Sequence, residues 1–227
     1  MMKRTAFALP LLAILLLLVG CAGTRPTLAE TYPRMYQEPP ASILILPPIN
    51  LSTAADAKEY FSCSLSEAVG LRGYYVMPVE AVFTILREEG FYDTENVTPT
   101  VLANIRKHFG ADAVLISTIK KWDKSWFLTS GTLRISADFA LLSTATAETL
   151  WDFSCDTEVE LGSDSDNILG AIIESAIKTA IEDYFPNALK SNVYAFRKGL
   201  PNGKYHPGFG LDGEDPASKH GEYKISK

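Results

Sequence analysis

The chain has 227 residues, with 21 lysines and arginines against 27 aspartates and glutamates, giving a formal charge of −6 at neutral pH. That acidic balance lacks the electrostatic footprint of a nucleic-acid binder and excludes that class of partner. Apolar residues make up 47% of the chain, enough for one domain with a real core, and three cysteines are too few for a disulfide scaffold.

In chain order the first feature is an export signal. Lys3 and Arg4 precede an apolar run from Ala6 to Val19, closed by Leu18-Val19-Gly20-Cys21. A positive start, a short apolar stretch and a small-residue cleavage site define a secretory signal peptide. The run has 14 residues and contains Pro10, too short for a comfortable membrane span of about 20. Cys21, directly after Gly20, supplies the thiol that lipoprotein processing acylates. Residues 1–20 are therefore expected to be removed. Loss of Lys3 and Arg4 takes the charge from −6 to −8, and a lipid on Cys21 ties the remaining 207 residues to a membrane. Each buried methylene contributes about 0.8 kcal/mol, so several acyl chains make dissociation negligible. Ala22 follows the cysteine where an aspartate would retain the protein at the inner membrane of many Gram-negative bacteria. The expected location is the outer membrane, with the domain facing the periplasm.

Residues 21–40 carry four prolines and few aliphatic side chains, and read as an extended tether. A single globular domain is expected over 41–207. It opens with Ser42-Ile43-Leu44-Ile45-Leu46, a continuous apolar run stopped by Pro47-Pro48, which suits a strand buried on both faces. Thr53-Ala54-Ala55-Asp56 resembles a capping box, and a helix should run from there to Leu71 with Phe61, Leu65 and Ala68 inward. Tyr74 to Met77 is the next strand. Two helices follow, one from Pro78 to Gly90 and one from Thr98-Pro99 to Gly110. The period then changes to 2. Ala113–Lys121, Leu133–Leu142 and Thr149–Leu161 read as an antiparallel meander with one buried and one wet face. Ser165 to Phe185 has the spacing of an amphipathic helix, with Ile168, Ile172 and Ile181 on its apolar side. From Gly208 to Lys227 the chain is polar and glycine-containing, and reads as a disordered tail. The order β-α-β-α-α-β-β-β-α gives an α+β or three-layer α/β fold: a mixed sheet with a parallel start, a C-terminal antiparallel meander, and helices packed on it.

No constellation of catalytic residues emerges. Ser175-Ala176-Ile177-Lys178 and Ser165-Asp166-Asn167 match the S-x-x-K and S-D-N patterns of penicillin-binding enzymes. In those enzymes, however, the S-x-x-K comes first and a K-T-G follows on a strand. Here the order is reversed and no K-T-G exists. A capped, solvated helix accounts for both matches. His108, His206 and His220 have no second ligand at useful spacing, and no metal or cofactor site is expected. The acidic row Asp152, Asp156, Glu158 and Glu160 reads as a solvated sheet face. Cys63 and Cys155 remain either one disulfide or two separate thiols, because a bond needs Cα atoms within about 7 Å and nothing local brings them together. Trp122, Trp126 and Phe127 bracket Asp123-Lys124-Ser125, an expected turn between meander strands, where exposed aromatic residues are candidate partner-binding groups.

Several phrases occur together: Ser42 to Pro48 with Asn50, Gly73-Tyr74-Tyr75-Val76 with Pro78-Val79, Phe109-Gly110-Ala111-Asp112-Ala113, Leu150-Trp151, Ile168-Leu169-Gly170-Ala171, and Tyr205-His206-Pro207. They resemble the lipoprotein family that includes a meningococcal surface vaccine candidate, over about residues 42–210. The resemblance implies a fold related to the N-terminal domain of TolB and to CsgG-like lipoproteins, and carries no catalytic residue. It also implies a role in an envelope assembly or export machine with CsgG-like partners. The turn Ser143–Glu148 departs from the Asp-x-x-Thr-Gly of relatives, and losing that glycine would cost about 1 kcal/mol if the position needs a positive φ. The expected function is a non-enzymatic lipoprotein that docks periplasmic or outer-membrane proteins, with a homodimer as one form of that docking. The alternative is a regulator of a peptidoglycan synthase, as in LpoB-like activators.

Overall fold

The computed structural model describes residues 25–91, 94–127, 130–162 and 184–225. Seven strands among them build one mixed sheet: β1 (Ser42–Ile45), β2 (Ile49–Asn50), β3 (Tyr75–Val76), β4 (Ala113–Phe127), β5 (Ser130–Ser143), β6 (Thr149–Gly162) and β7 (His220–Ile225). Their order is β3-β1-β4-β5-β6-β7, with β2 also beside β4. Both β3 and β4 run parallel to β1, the β4-β5-β6 meander is antiparallel, and β7 returns parallel to β6. The helices are α1 (Leu28–Thr31), α2 (Pro33–Gln37), α3 (Ala57–Gly70), α4 (Val79–Glu88), α5 (Pro99–Phe109) and α6 (Tyr184–Gly199). The fold is α+β with the sheet mixed as expected.

The continuous apolar run of β1 is explained by two cores. Ile43 and Ile45 point into a cluster with Phe61 and Leu65 of α3. Leu44 and Leu46 point the other way, into a cluster with Val82 and Leu86 of α4 and Leu102 and Ile105 of α5. The first cluster extends along the meander, where Phe139 stacks with Phe61 at 5.9 Å and meets Phe196 of α6 edge-on at 4.9 Å. Helices α4 and α5 cover only the parallel end of the opposite face.

Local chemistry sets the boundaries. At α5, the Val101 N–H donates to Thr98 Oγ1 (3.3 Å), Pro99 fills the first turn, and Gly110 closes the helix at φ +69°. The capping box expected at Thr53 does not form. Asn50 organises that loop instead: its Oδ1 accepts from the Ser52 N–H and hydroxyl, its Nδ2 donates to the Ala54 carbonyl, and α3 begins only at Ala57. In the β5–β6 turn Ala147 holds φ +59°, so the position where the resemblance implies a glycine adopts the left-handed region.

Three segments depart from the sequence reading. Of the tether expected over residues 21–40, the part from Pro26 onward is folded onto the domain. Thr27 and Glu30 form a reciprocal capping box, and Leu28, Tyr32 and Met35 are buried at helical spacing. Prolines masked a true amphipathic pattern. Residues 208–225 are not a disordered tail: they turn back along α1 and add β7 to the sheet. The short alternation of Gly221 and Tyr223 with His220, Glu222 and Lys224 was the available signal. Third, α6 carries a buried face made partly of Asn187, Ser191 and Asn192, which hides it from a search for apolar stripes. Asn192 Nδ2 donates to Ser64 Oγ at 2.8 Å, and Ser191 Oγ donates to Thr157 Oγ1 at 2.9 Å. The helix expected over Ser165–Phe185 falls, up to residue 183, outside the described residues.

Candidate functional site

Two ends of the molecule bear on function, and the N-terminal segment defines the first. The Leu28 N–H donates to the Asp215 carbonyl (2.9 Å), the Ala29 N–H to Gly213 (3.0 Å), and the Ala217 N–H to Pro26 (2.8 Å). Tyr32 is buried in the core and donates its hydroxyl to the Asp152 carbonyl at 2.7 Å, while burial pushes its phenol well above the ordinary value, with Asp152 adding to the effect. Arg34 pairs with Glu148 at 2.6 Å across the end of the meander. The chain that leads back to Cys21 thus leaves the domain at one fixed place, beside the start of β6.

The second end is the meander itself. Pairing of β1 and β2 with β4 stops at Ile119, and a bulge follows between Ile119 and Lys121. Beyond it β4 continues to Phe127, paired with β5 back to Ser130, and β5 with β6 out to Gly162. From Ser154, beside the anchor end, to Gly162 the strand advances about 26 Å at 3.3 Å per residue. The meander is therefore a ribbon that projects away from the point where the N-terminus leaves.

One face of this ribbon is core and the other is charged. Lys120 pairs with Asp138 (2.7 Å), Arg134 with Glu158 (3.0 Å), Lys219 with Asp152 (2.8 Å), and Lys224 with both Glu158 (3.5 Å) and Glu160 (3.2 Å). The hydrogen bond from Arg134, helped by Lys224, holds the Glu158 carboxyl below its ordinary value. Asp152, Glu158 and Glu160 of the acidic row are thus halves of ion pairs, while Asp156 faces His220 Nε2 at 3.6 Å. Among the described residues no group of three or more His, Cys, Asp or Glu is placed to hold a metal ion.

The candidate residues separate. Cys21 lies outside the described residues. Trp122 is not at an exposed turn: it is 5% exposed and belongs to the main core, because β4 runs straight through Asp123-Lys124-Ser125. Charged and small residues imitated a turn within a long strand. Trp126 and Phe127 stand opposite Gly131 and Ser130 at the ribbon's end. Cys63 and Cys155 are both free. Cys63 borders a surface groove with Phe83 and Arg87 of α4, whereas Cys155 sits in the core beside Thr157, its thiol pushed up by burial to about 11. His206 packs its loop, its Nδ1 accepting from the Gly208 N–H at 3.0 Å. Ser165, Asp166, Asn167, Ser175 and Lys178 lie outside the described residues.

Sequence reasoning missed a buried polar clasp. Arg72 donates from Nε and Nη2 to the Leu200 carbonyl (3.0 and 2.6 Å) and approaches Asp212 at 3.7 Å. Asp212 accepts from the Asn202 N–H (2.6 Å) and from the Tyr36 hydroxyl (3.2 Å). Gly73, at φ +78°, has no room for a Cβ, which would clash with the His206 backbone nitrogen. Its glycine was visible in the sequence; its partners, some 130 residues away, were not.

Among the described residues no helix is long and apolar enough to cross a membrane. The family model described as "Putative lipoprotein GNA1162-like" matches residues 31–204, and the chain belongs to that family. A curated relative, "Putative lipoprotein NMB1124/NMB1162" of Neisseria meningitidis serogroup B, is 24% identical over 167 residues, which are 74% of this chain and 75% of that protein. The crystal structure of lipoprotein GNA1162 from Neisseria meningitidis is 26% identical, with a TM-score of 0.47 over 63% of this chain and 100% of that one. The C-terminal domain of LpoB from Salmonella enterica is 15% identical, with a TM-score of 0.38 over 63% of this chain and 90% of that one.

Proposed function

We propose that the protein is a docking component of the outer membrane, anchored by lipid at Cys21, facing the periplasm, and without chemistry of its own. Its partners in this reading are envelope proteins of an export or assembly system, CsgG-like lipoproteins first, with a second copy of the chain as the other form. The observation that supports it most is the opposition of the two ends. Five residues lie between Cys21 and Thr27, at most about 20 Å of extended chain. The ribbon points away from that attachment and offers a face of interleaved charges, suited to selecting a protein partner by charge pattern.

The synthase-regulator reading calls for a tether long enough to cross much of the periplasm. Most of the segment that would serve is folded onto the domain, so that reading is the weaker one. A photo-cross-linking residue at exposed Ser125, compared with one at exposed Lys107 on α5, separates the possibilities in intact cells. Docking through the ribbon predicts an adduct with an envelope protein, or with a second copy, from position 125 and none from 107. Equal labelling from both positions, or none from 125, contradicts it.

A further inference from the structure

The loop Asn202–Asp212 is built inside out. Its interior is polar: Asp212, 6% exposed, accepts from the Asn202 N–H, Asn202 Nδ2 donates to the Gly208 carbonyl at 3.0 Å, and Arg72 closes the base. Its exterior is mostly apolar: Tyr205 is 70% exposed, Phe209 41% and Leu211 80%, with Lys204 the exposed charged side chain among them, and Leu71, on the segment the loop is fastened to, is 57% exposed. The Tyr205 and Gly203 N–H groups donate to the carbonyls of Gly73 and Arg72, which fastens the loop to the segment that carries Leu71. A solvated loop has the opposite composition, with small polar residues outward.

We propose that this loop is a second membrane contact, a rigid pad whose Tyr205, Phe209 and Leu211 lie in the interfacial layer of the bilayer that holds Cys21. The proposal rests on the lipid-anchor reading. Its occupant follows from where the folded chain begins. Ala29 is hydrogen-bonded to Gly213, two residues from Leu211, and Leu28 to Asp215. With only about 20 Å of chain between Thr27 and the lipid, the bilayer is always within reach of this loop. Tyrosine, phenylalanine and leucine are the side chains that settle at the headgroup boundary. Because the clasp already fixes the loop, little ordering entropy opposes insertion. Two attachment points also fix how the domain stands, with the ribbon away from the membrane.

The test uses the lipidated full-length mature protein in vesicles of equal parts phosphatidylethanolamine and phosphatidylglycerol. Exposed Cys63 is replaced (Cys63→Ser); Cys155 is buried in the core, shielded from the label. An environment-sensitive fluorophore is then attached through Leu211→Cys or, as the distal control, Ser125→Cys. The expected result is a blue-shifted emission rising roughly twofold at 211, quenched by spin-labelled lipid, with neither change at 125. Leu211→Asp should abolish the same response read from Tyr205→Cys while leaving the melting temperature unchanged. Protein that floats with the vesicles while position 211 reads like position 125 overturns the pad, including the case in which the loop serves a protein partner. Protein that fails to float overturns the lipid anchor, and the pad with it.

Discussion

Ala147 carries the one non-glycine positive φ among the described residues, +59°. The turn tolerates it because Ser143 organises the backbone around it: Ser143 Oγ accepts from the Ala145 and Thr146 N–H groups, and the Ala147 N–H donates to the Ser143 carbonyl. Ala147→Gly should therefore raise stability by about 1 kcal/mol, the left-handed penalty removed less some added freedom of the unfolded chain. Urea denaturation measures it; a loss of stability would show that the turn is not strained. Asp112 joins β1 to β4 by accepting from the N–H groups of Ala41 and Ser42 and from the Ser42 hydroxyl. Burial pushes its carboxyl up, but these hydrogen bonds and Arg106 outweigh it and hold it below the ordinary value. A depressed carboxylate contributes stability above its unfolded pKa and loses it as pH falls through the folded one. Asp112→Asn should thus cost about 1 kcal/mol at neutral pH, and the gap should close in acid. A gap that stayed constant from neutral pH to strong acid would deny the charge its role.

At the scale of elements, legibility followed whether a segment buries an apolar pattern against its neighbours. The β1 run, the Thr98–Gly110 helix and the alternation of β6 were readable because each states its environment in consecutive residues. Helix α6 was not, since Asn187, Ser191 and Asn192 face inward, and Asn192 and Ser191 find their partners on α3 and β6, which no local window contains. The ribbon's far end was misread for the reverse reason: Asp123-Lys124-Ser125 has turn composition but lies in a strand whose partner β5 dictates extension. The folded N-terminal segment makes a sharp prediction. Tyr32→Ala removes a buried ring and its bond to the Asp152 carbonyl, and should cost about 3–5 kcal/mol. Circular dichroism melts would show it plainly. A variant as stable as the parent would return residues 26–37 to the status of a loose tether.

For the whole molecule, residues 26–37 and the Asn202–Asp212 loop gather at one end of the fold and the charged ribbon extends from the other, which in the proposed reading separates attachment from recognition. The candidate site was only partly legible because its parts come from residues 26–37, 72–73, 130–162 and 200–225, joined by tertiary contact alone. Everything proposed about this arrangement depends on where the mature chain begins and what it carries there. Mass spectrometry of the N-terminal peptide, taken from the outer-membrane fraction of cells expressing the protein, tests that most directly. The account predicts a chain that starts at Cys21, with acyl groups on the cysteine. An unmodified N-terminus, a start at any other residue, or recovery in the soluble fraction would contradict it.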